Sequence, residues 1–225
     1  MEIQAKNLGM CFYDGGRTIE IFNNLNFTIH AQESVAILGA SGSGKTTLLY
    51  ILGGIEEPTA GEVYIGGVNI TEMQKQKTDL FKVRRKSVGF VFQFHQLLQE
   101  FDAIENVALP LLIQDTDKAE AFAKAEELLK RVGLGDRLTH RPGMLSGGEQ
   151  QRVALARAMV ASPGVILADE PTGNLDRKNS GEVTELLLEL QKEKGNTLVV
   201  VTHSLEVAGK MGRVLELDNG TLISK

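Results

Sequence analysis

Ser34-Val35-Ala36-Ile37-Leu38-Gly39-Ala40-Ser41-Gly42-Ser43-Gly44-Lys45-Thr46-Thr47 joins a β-branched apolar run to a glycine-rich loop and then to a helix-forming segment that reaches Leu52. A buried strand feeding a helix through such a loop is the opening of an α/β layer. Residues Gly39 to Thr46 fit the pattern G-x-x-x-x-G-K-[ST]. Gly39, Gly42 and Gly44 let the backbone curl so that successive N–H groups face one concavity, and the helix behind adds the positive end of its dipole. At this spacing Lys45 reaches the β- and γ-phosphates of a nucleotide, and the Thr46 hydroxyl suits Mg²⁺. Ala40, Ser41, Ser43 and Thr47 complete the predicted cradle.

Outward from this point, the first 30 or so residues alternate apolar and polar around Asp14-Gly15-Gly16, the pattern of antiparallel strands joined at a turn. Gly61 to Ile70, with its Gly66-Gly67 turn, repeats it. Val88 to Phe92 reads as another buried strand. From Gln93 to about Ser162 strand signals vanish, and Phe122, Ala125, Leu129 and Val132 recur at helical spacing. Strands resume at Val165 to Ala168 and Thr197 to Val201, separated by a helix carrying Val183, Leu186, Leu187 and Leu190. The expectation is one domain over residues 1–225: an α/β core with an antiparallel part (1–93 and 163–225) and a helical insertion (94–162).

Composition narrows the class. With 24 Lys+Arg against 29 Asp+Glu the net charge is 24 − 29 = −5, and the sequence pI near 5.5 argues against nucleic-acid binding, which needs a basic face. The local cluster Lys82, Arg84, Arg85, Lys86 reads as a solvated helix face. A chain of this size buries roughly 70% of its extended surface, so a core forms without disulfides or a structural metal. The lone Cys11 has no partner and favours a reducing compartment. The N-terminus lacks a signal-peptide pattern and no run approaches a membrane span, so a cytosolic chain is expected. Glycine, 24 residues, is in surplus over the usual ~7%.

Two further stretches carry chemistry. Val165-Ile166-Leu167-Ala168-Asp169-Glu170 is a buried strand ending in two carboxylates. Ligands of open α/β sheets bind off the strands' C-terminal edge, which puts Asp169 beside the phosphate loop as the Mg²⁺ partner through water and leaves Glu170 to orient or deprotonate an attacking water. Leu145-Ser146-Gly147-Gly148-Glu149-Gln150 opens a second helix with bare backbone. Ser146 as N-cap explains the serine; the paired glycines suggest a second anion site, useful if it serves another copy of the molecule.

With these three motifs the chain resembles, over essentially its whole length, the ATP-binding subunits of ABC transporters. The resemblance implies a P-loop NTPase fold with a RecA-like core, a small antiparallel β subdomain and an inserted α-helical subdomain. It also implies an Mg²⁺-dependent ATPase that closes as an ATP-dependent head-to-tail homodimer, with Ser146, Gly147, Gly148 and Glu149 acting in trans. By the same resemblance Tyr13 stacks on adenine. Gln93 touches Mg²⁺ and water, Asp176 lies in the loop that crosses to the partner, and His203 contacts the γ-phosphate. Integral membrane subunits are expected to dock near residues 93–113, where Phe94, Leu97, Leu98 and Phe101 form an apolar cluster, on the cytoplasmic face of a bacterial inner membrane. That run, His140-Arg141-Pro142 and Ala168 to Asp176 are most similar to the lipoprotein-releasing branch. Macrolide-efflux and cell-division ATPases share much of the last stretch. Ser204 replaces the usual Asp after the switch histidine, and Gln150 stands where that branch often has Arg.

Overall fold

The computed structural model describes residues 1–225. In chain order the elements are β1 (Ile3–Asp14), β2 (Arg17–Ile29), β3 (Ser34–Leu38), α1 (Lys45–Leu52), β4 (Ala60–Ile65), β5 (Val68–Asn69), α2 (Ile70–Lys75), α3 (Leu80–Ser87) and β6 (Val88–Val91). They continue with α4 (Ala103–Ile113), α5 (Lys118–Arg131), α6 (Gly147–Met159), β7 (Val165–Asp169), α7 (Arg177–Lys194), β8 (Thr197–Thr202), α8 (Leu205–Ala208), β9 (Arg213–Asp218) and β10 (Thr221–Ser224).

Two sheets organise these elements. One is antiparallel, in the order β2-β1-β4-β5; the other runs β10-β9-β3-β8-β7-β6, parallel except for the β9–β10 edge pair. The parallel strands are near-continuous apolar runs because both faces are covered. Their two-residue period sorts the side chains: Ala36, Leu38, Ile166, Ala168, Leu198 and Val200 enter one hydrophobic cluster with the helices α4, α5 and α6. Val35, Ile37, Val165, Leu167, Val199 and Val201 enter another with α1 and the antiparallel sheet. The core sheet is thus held between the helical block and the small sheet.

The two predicted turns close hairpins, Asp14 opposite Arg17 and Ile65 opposite Val68. Strand signals are absent between β6 and β7, as expected, and β7 and β8 each extend one residue further, to Asp169 and Thr202. The helix α2 and the edge hairpin β9–β10 carried no clear sequence signal, whereas α3 is the helix expected around Lys82 to Lys86. Lys82, Arg84 and Lys86 are exposed on α3 as anticipated; Arg85 is half-buried and donates to Ile113 O at 3.2 Å.

The apolar run after Gln93 divides. Leu97 is buried, whereas Phe94 and Leu98 are 71% and 41% exposed. The fully buried Asn106 imposes that split. Its Oδ1 accepts from Leu98 N at 2.8 Å, and its Nδ2 donates to the carbonyls of Leu98, Phe101 and Asp102 at 3.0–3.1 Å. A buried side chain that satisfies several backbone groups fixes a loop more firmly than apolar contact does.

Candidate active site

The C-terminal edges of β3, β7 and β8 and the segment after β6 converge on a cleft of about 490 Å³. It is lined by Ile21, Ser41, Gly42, Gly44, Lys45, Thr46, Thr47, Gln93, Glu170 and His203. The loop between β3 and α1 folds around the buried Lys45, whose Nζ donates to Gly39 O and Ala40 O, both at 2.8 Å. Gly44 is left-handed at φ +93°, and a Cβ there would lie 2.3 Å from Ile21 Cγ2; one on Gly39 would lie 2.6 Å from Leu217 O. The glycines at both ends of the cradle are therefore required by close approach. With Gly44 as N-cap, α1 begins without a side-chain cap, so its first N–H groups are left for an external acceptor.

Across the cleft, Thr46 Oγ1 donates to Asp169 Oδ1 at 3.0 Å. Burial pushes the Asp169 carboxyl above its usual range, against the opposing hydrogen bond from Thr46. Thr46, Asp169 and Gln93 offer hard oxygen donors of the kind Mg²⁺ accepts, too few to enclose it, which suits an ion that keeps several waters.

Glu170 follows β7 at φ +40°, a strained value for a non-glycine residue that commonly marks a functional position. Its carboxylate is held at both oxygens: Thr202 Oγ1 donates to Oε2 at 3.0 Å, and His203 Nδ1 lies 2.8 Å from Oε1. Nδ1 being engaged, only Nε2 of the exposed ring is left for another partner. The substitution at Ser204 is accommodated simply, since its Oγ accepts from Val207 N at 3.3 Å and caps α8. Asn174 Nδ2 donates to Gln93 O at 3.0 Å, tying the loop after Glu170 to the segment after β6.

The remaining predicted residues lie apart from this cleft. Tyr13 is 79% exposed on the outer end of β1, free of the small sheet's core and outside the cleft lining. Ser146 caps α6 in a reciprocal box: Glu149 N donates to Ser146 Oγ at 3.3 Å, and Ser146 N to Glu149 Oε2 at 2.8 Å. That backbone N–H holds the Glu149 carboxyl below its usual range. Gly147 is exposed, but Gly148 is covered by Asn179, 3.2 Å from where its Cβ would stand. Half of the paired-glycine signal is thus intramolecular packing. Asp176 caps α7 through Asn179 N at 3.0 Å, and that bond lowers its carboxyl.

Sequence reasoning missed Thr202 and Ile21, and placed Asn174 only in the loop expected to cross to a partner. Thr202 was the most accessible of these, standing between a predicted strand and His203. Ile21 and Asn174 act through neighbours brought close only by folding.

A family model described as ABC transporter matches residues 22–173. The chain belongs to the ABC transporter family. Within that family it is 48% identical over 222 residues to the lipoprotein-releasing system ATP-binding protein LolD of Syntrophus aciditrophicus, covering 99% of both chains. It is 50% identical over 213 residues to the LolD of Geobacter metallireducens, covering 94% of each. Among solved ABC structures it is similar to the cassette MJ0796, described as a dimeric post-hydrolysis state bound to ADP and Pi. The TM-score is 0.89 and the identity 40%, over 98% of this chain and 96% of that one. No helix of this ABC chain is long and apolar enough to cross a membrane.

Proposed function

We propose that the chain is the ATP-hydrolysing subunit of a bacterial lipoprotein-releasing transporter, working as a head-to-tail dimer on the cytoplasmic face of the inner membrane. The observation that carries this reading is the convergence of Lys45, Thr46, Gln93, Glu170 and His203 on one cleft, while the Ser146 end of α6 is excluded from it. Half a nucleotide site per copy calls for a second copy to supply the other half. The full-length similarity to lipoprotein-releasing ATP-binding proteins supports the transport system.

In this reading the nucleotide phosphates lie on the N–H groups of the loop and of α1, and Lys45 exchanges the carbonyls of Gly39 and Ala40 for phosphate oxygens. Tyr13 stacks on the adenine from the exposed end of β1. Thr46, Gln93 and Asp169 would hold Mg²⁺, which would supply charge neutralisation at the phosphates. Glu170, oriented by Thr202 and His203, accepts a proton from the attacking water. Ser146, Gly147, Gly148 and Glu149 of a second copy close over the phosphates, with Asp176 at the crossing loop. Residues 94–162 form the helical subdomain of a single domain spanning 1–225. Membrane subunits dock beside residues 93–113, where a groove of about 730 Å³ is lined by Phe81, Phe90, Phe92, Leu109, Pro110 and Ile113 among others. Apolar walls of this kind suit a partner helix.

The test is phosphate release by the purified chain, together with Glu170→Gln. Retained ATP binding and an ATP-dependent dimer with hydrolysis reduced by about 10²-fold or more are expected. A variant that stays monomeric with ATP, or hydrolyses at the parent rate, overturns the reading.

A further inference from the structure

Arg157 stands in the last turn of α6, at the opposite end from Ser146. Its guanidinium reaches out of the helix to two successive backbone carbonyls, Nη1 donating to Gln96 O and Nη2 to His95 O, each at 2.6 Å. Both acceptor residues are left-handed, at φ +58° for His95 and +47° for Gln96. Two consecutive non-glycine residues rarely adopt this conformation unless surrounding structure imposes it. Burial alone lowers the Arg157 pKa, with no acidic group contributing. A half-buried cation with no carboxylate partner gains little fold stability from its charge. What the position does use is the flat two-pronged donor, a geometry that lysine lacks.

The bend held by Arg157 begins two residues beyond Gln93. On its other side Gln93 is tied at its carbonyl by Asn174, which follows Glu170 in the chain. Gln93 therefore lies between two clamps, one from the Glu170 loop and one from α6, the helix whose first turn is Ser146 to Glu149. We propose that Arg157 is a positioning residue that couples the placement of α6 to the side chain of Gln93. It adds no group to the reacting atoms; it lets the position of α6 decide whether Gln93 faces the nucleotide. This inference rests on the assignment of Gln93 to the ATP site made above.

The test is a double-mutant cycle on the full chain, reading kcat and KM for phosphate release, the Kd of a fluorescent ATP analogue and the melting temperature. Arg157→Met is expected to lower kcat at least about tenfold while the nucleotide Kd changes less than about twofold, because the phosphate loop is untouched. Arg157→Lys, which offers a single ammonium head in place of the fork, falls between the two. In a Gln93→Ala background Arg157→Met should lower kcat by no more than a further factor of about two. A parent-like kcat in Arg157→Met, or losses that multiply in the double variant, overturns the proposal. If Arg157→Met shows no folded-state transition, the same cycle with Arg157→Lys decides the question by the same criteria. Hydrolysis unchanged in Gln93→Ala and in Glu170→Gln would instead overturn the site reading, and this inference with it.

Discussion

His203 Nδ1 lies 2.8 Å from Glu170 Oε1, although the two residues sit on neighbouring strand ends 33 positions apart. The second carboxylate oxygen is fixed by Thr202, so the strained Glu170 backbone aims a carboxylate whose orientation is set at both ends.

If His203 and Thr202 serve Glu170, their effects pass through it. His203→Ala is expected to lower kcat by about 10²-fold, and Thr202→Val by less. Adding either to Glu170→Gln should cost little more. Single-turnover phosphate release in the single and double variants checks this, and multiplicative losses would assign His203 an independent role.

Asp169 titrates above the usual carboxylate range because it is buried beside Thr46. A carboxylate whose folded-state pKa is raised weakens the fold once both states are ionised, and that penalty disappears as pH falls below the unfolded-state value. Asp169→Asn keeps an acceptor for Thr46 and removes the charge. The nucleotide-free variant should therefore melt higher than the parent at pH 7, with the gain vanishing toward about pH 4. Its Mg²⁺-dependent hydrolysis should fall. Melting curves against pH, followed by circular dichroism, test the sign; a variant less stable at pH 7 contradicts it.

Gly44 has neither the φ nor the space for a side chain. Gly44→Ala should cost about 1–2 kcal/mol from the left-handed backbone alone, with more from the collision with Ile21. Ile21→Ala in the same chain should restore the collision part and leave the backbone part. Urea unfolding of the single and double variants separates the two contributions.

Asn106 reaches four backbone groups around residues 98–102, its two Nδ2 hydrogens shared among three carbonyls. Asn106→Leu leaves Leu98 N and Phe101 O unpaired, while Leu98 O keeps Phe101 N and Asp102 O keeps the backbone N–H of residue 106, at a cost of about 1–3 kcal/mol. Loss of order should appear first as faster amide exchange at Leu98, whose N–H is one of the four.

The phosphate cradle, the carboxylate pair after β7, the Ser146 cap and the alternation of the first strands were legible because each depends on residues close together in the chain. A glycine pattern bends its own backbone, a serine caps the helix it begins, and an apolar run is buried wherever it goes. The helix α2 and the β9–β10 edge were not legible, since short elements draw their stability from what they pack against.

Tertiary structure decided the rest. It put Thr46 against Asp169 across 123 positions and Arg157 against His95 and Gln96 across about 60. It turned Phe94 and Leu98 outward while Leu97 turned in, and it covered Gly148 with Asn179. It also kept the Ser146 end of α6 out of the cleft holding Lys45 and Glu170. Motifs record what a short peptide can do; which motifs share a site depends on strand order and on the packing of two hydrophobic layers, properties of the whole chain.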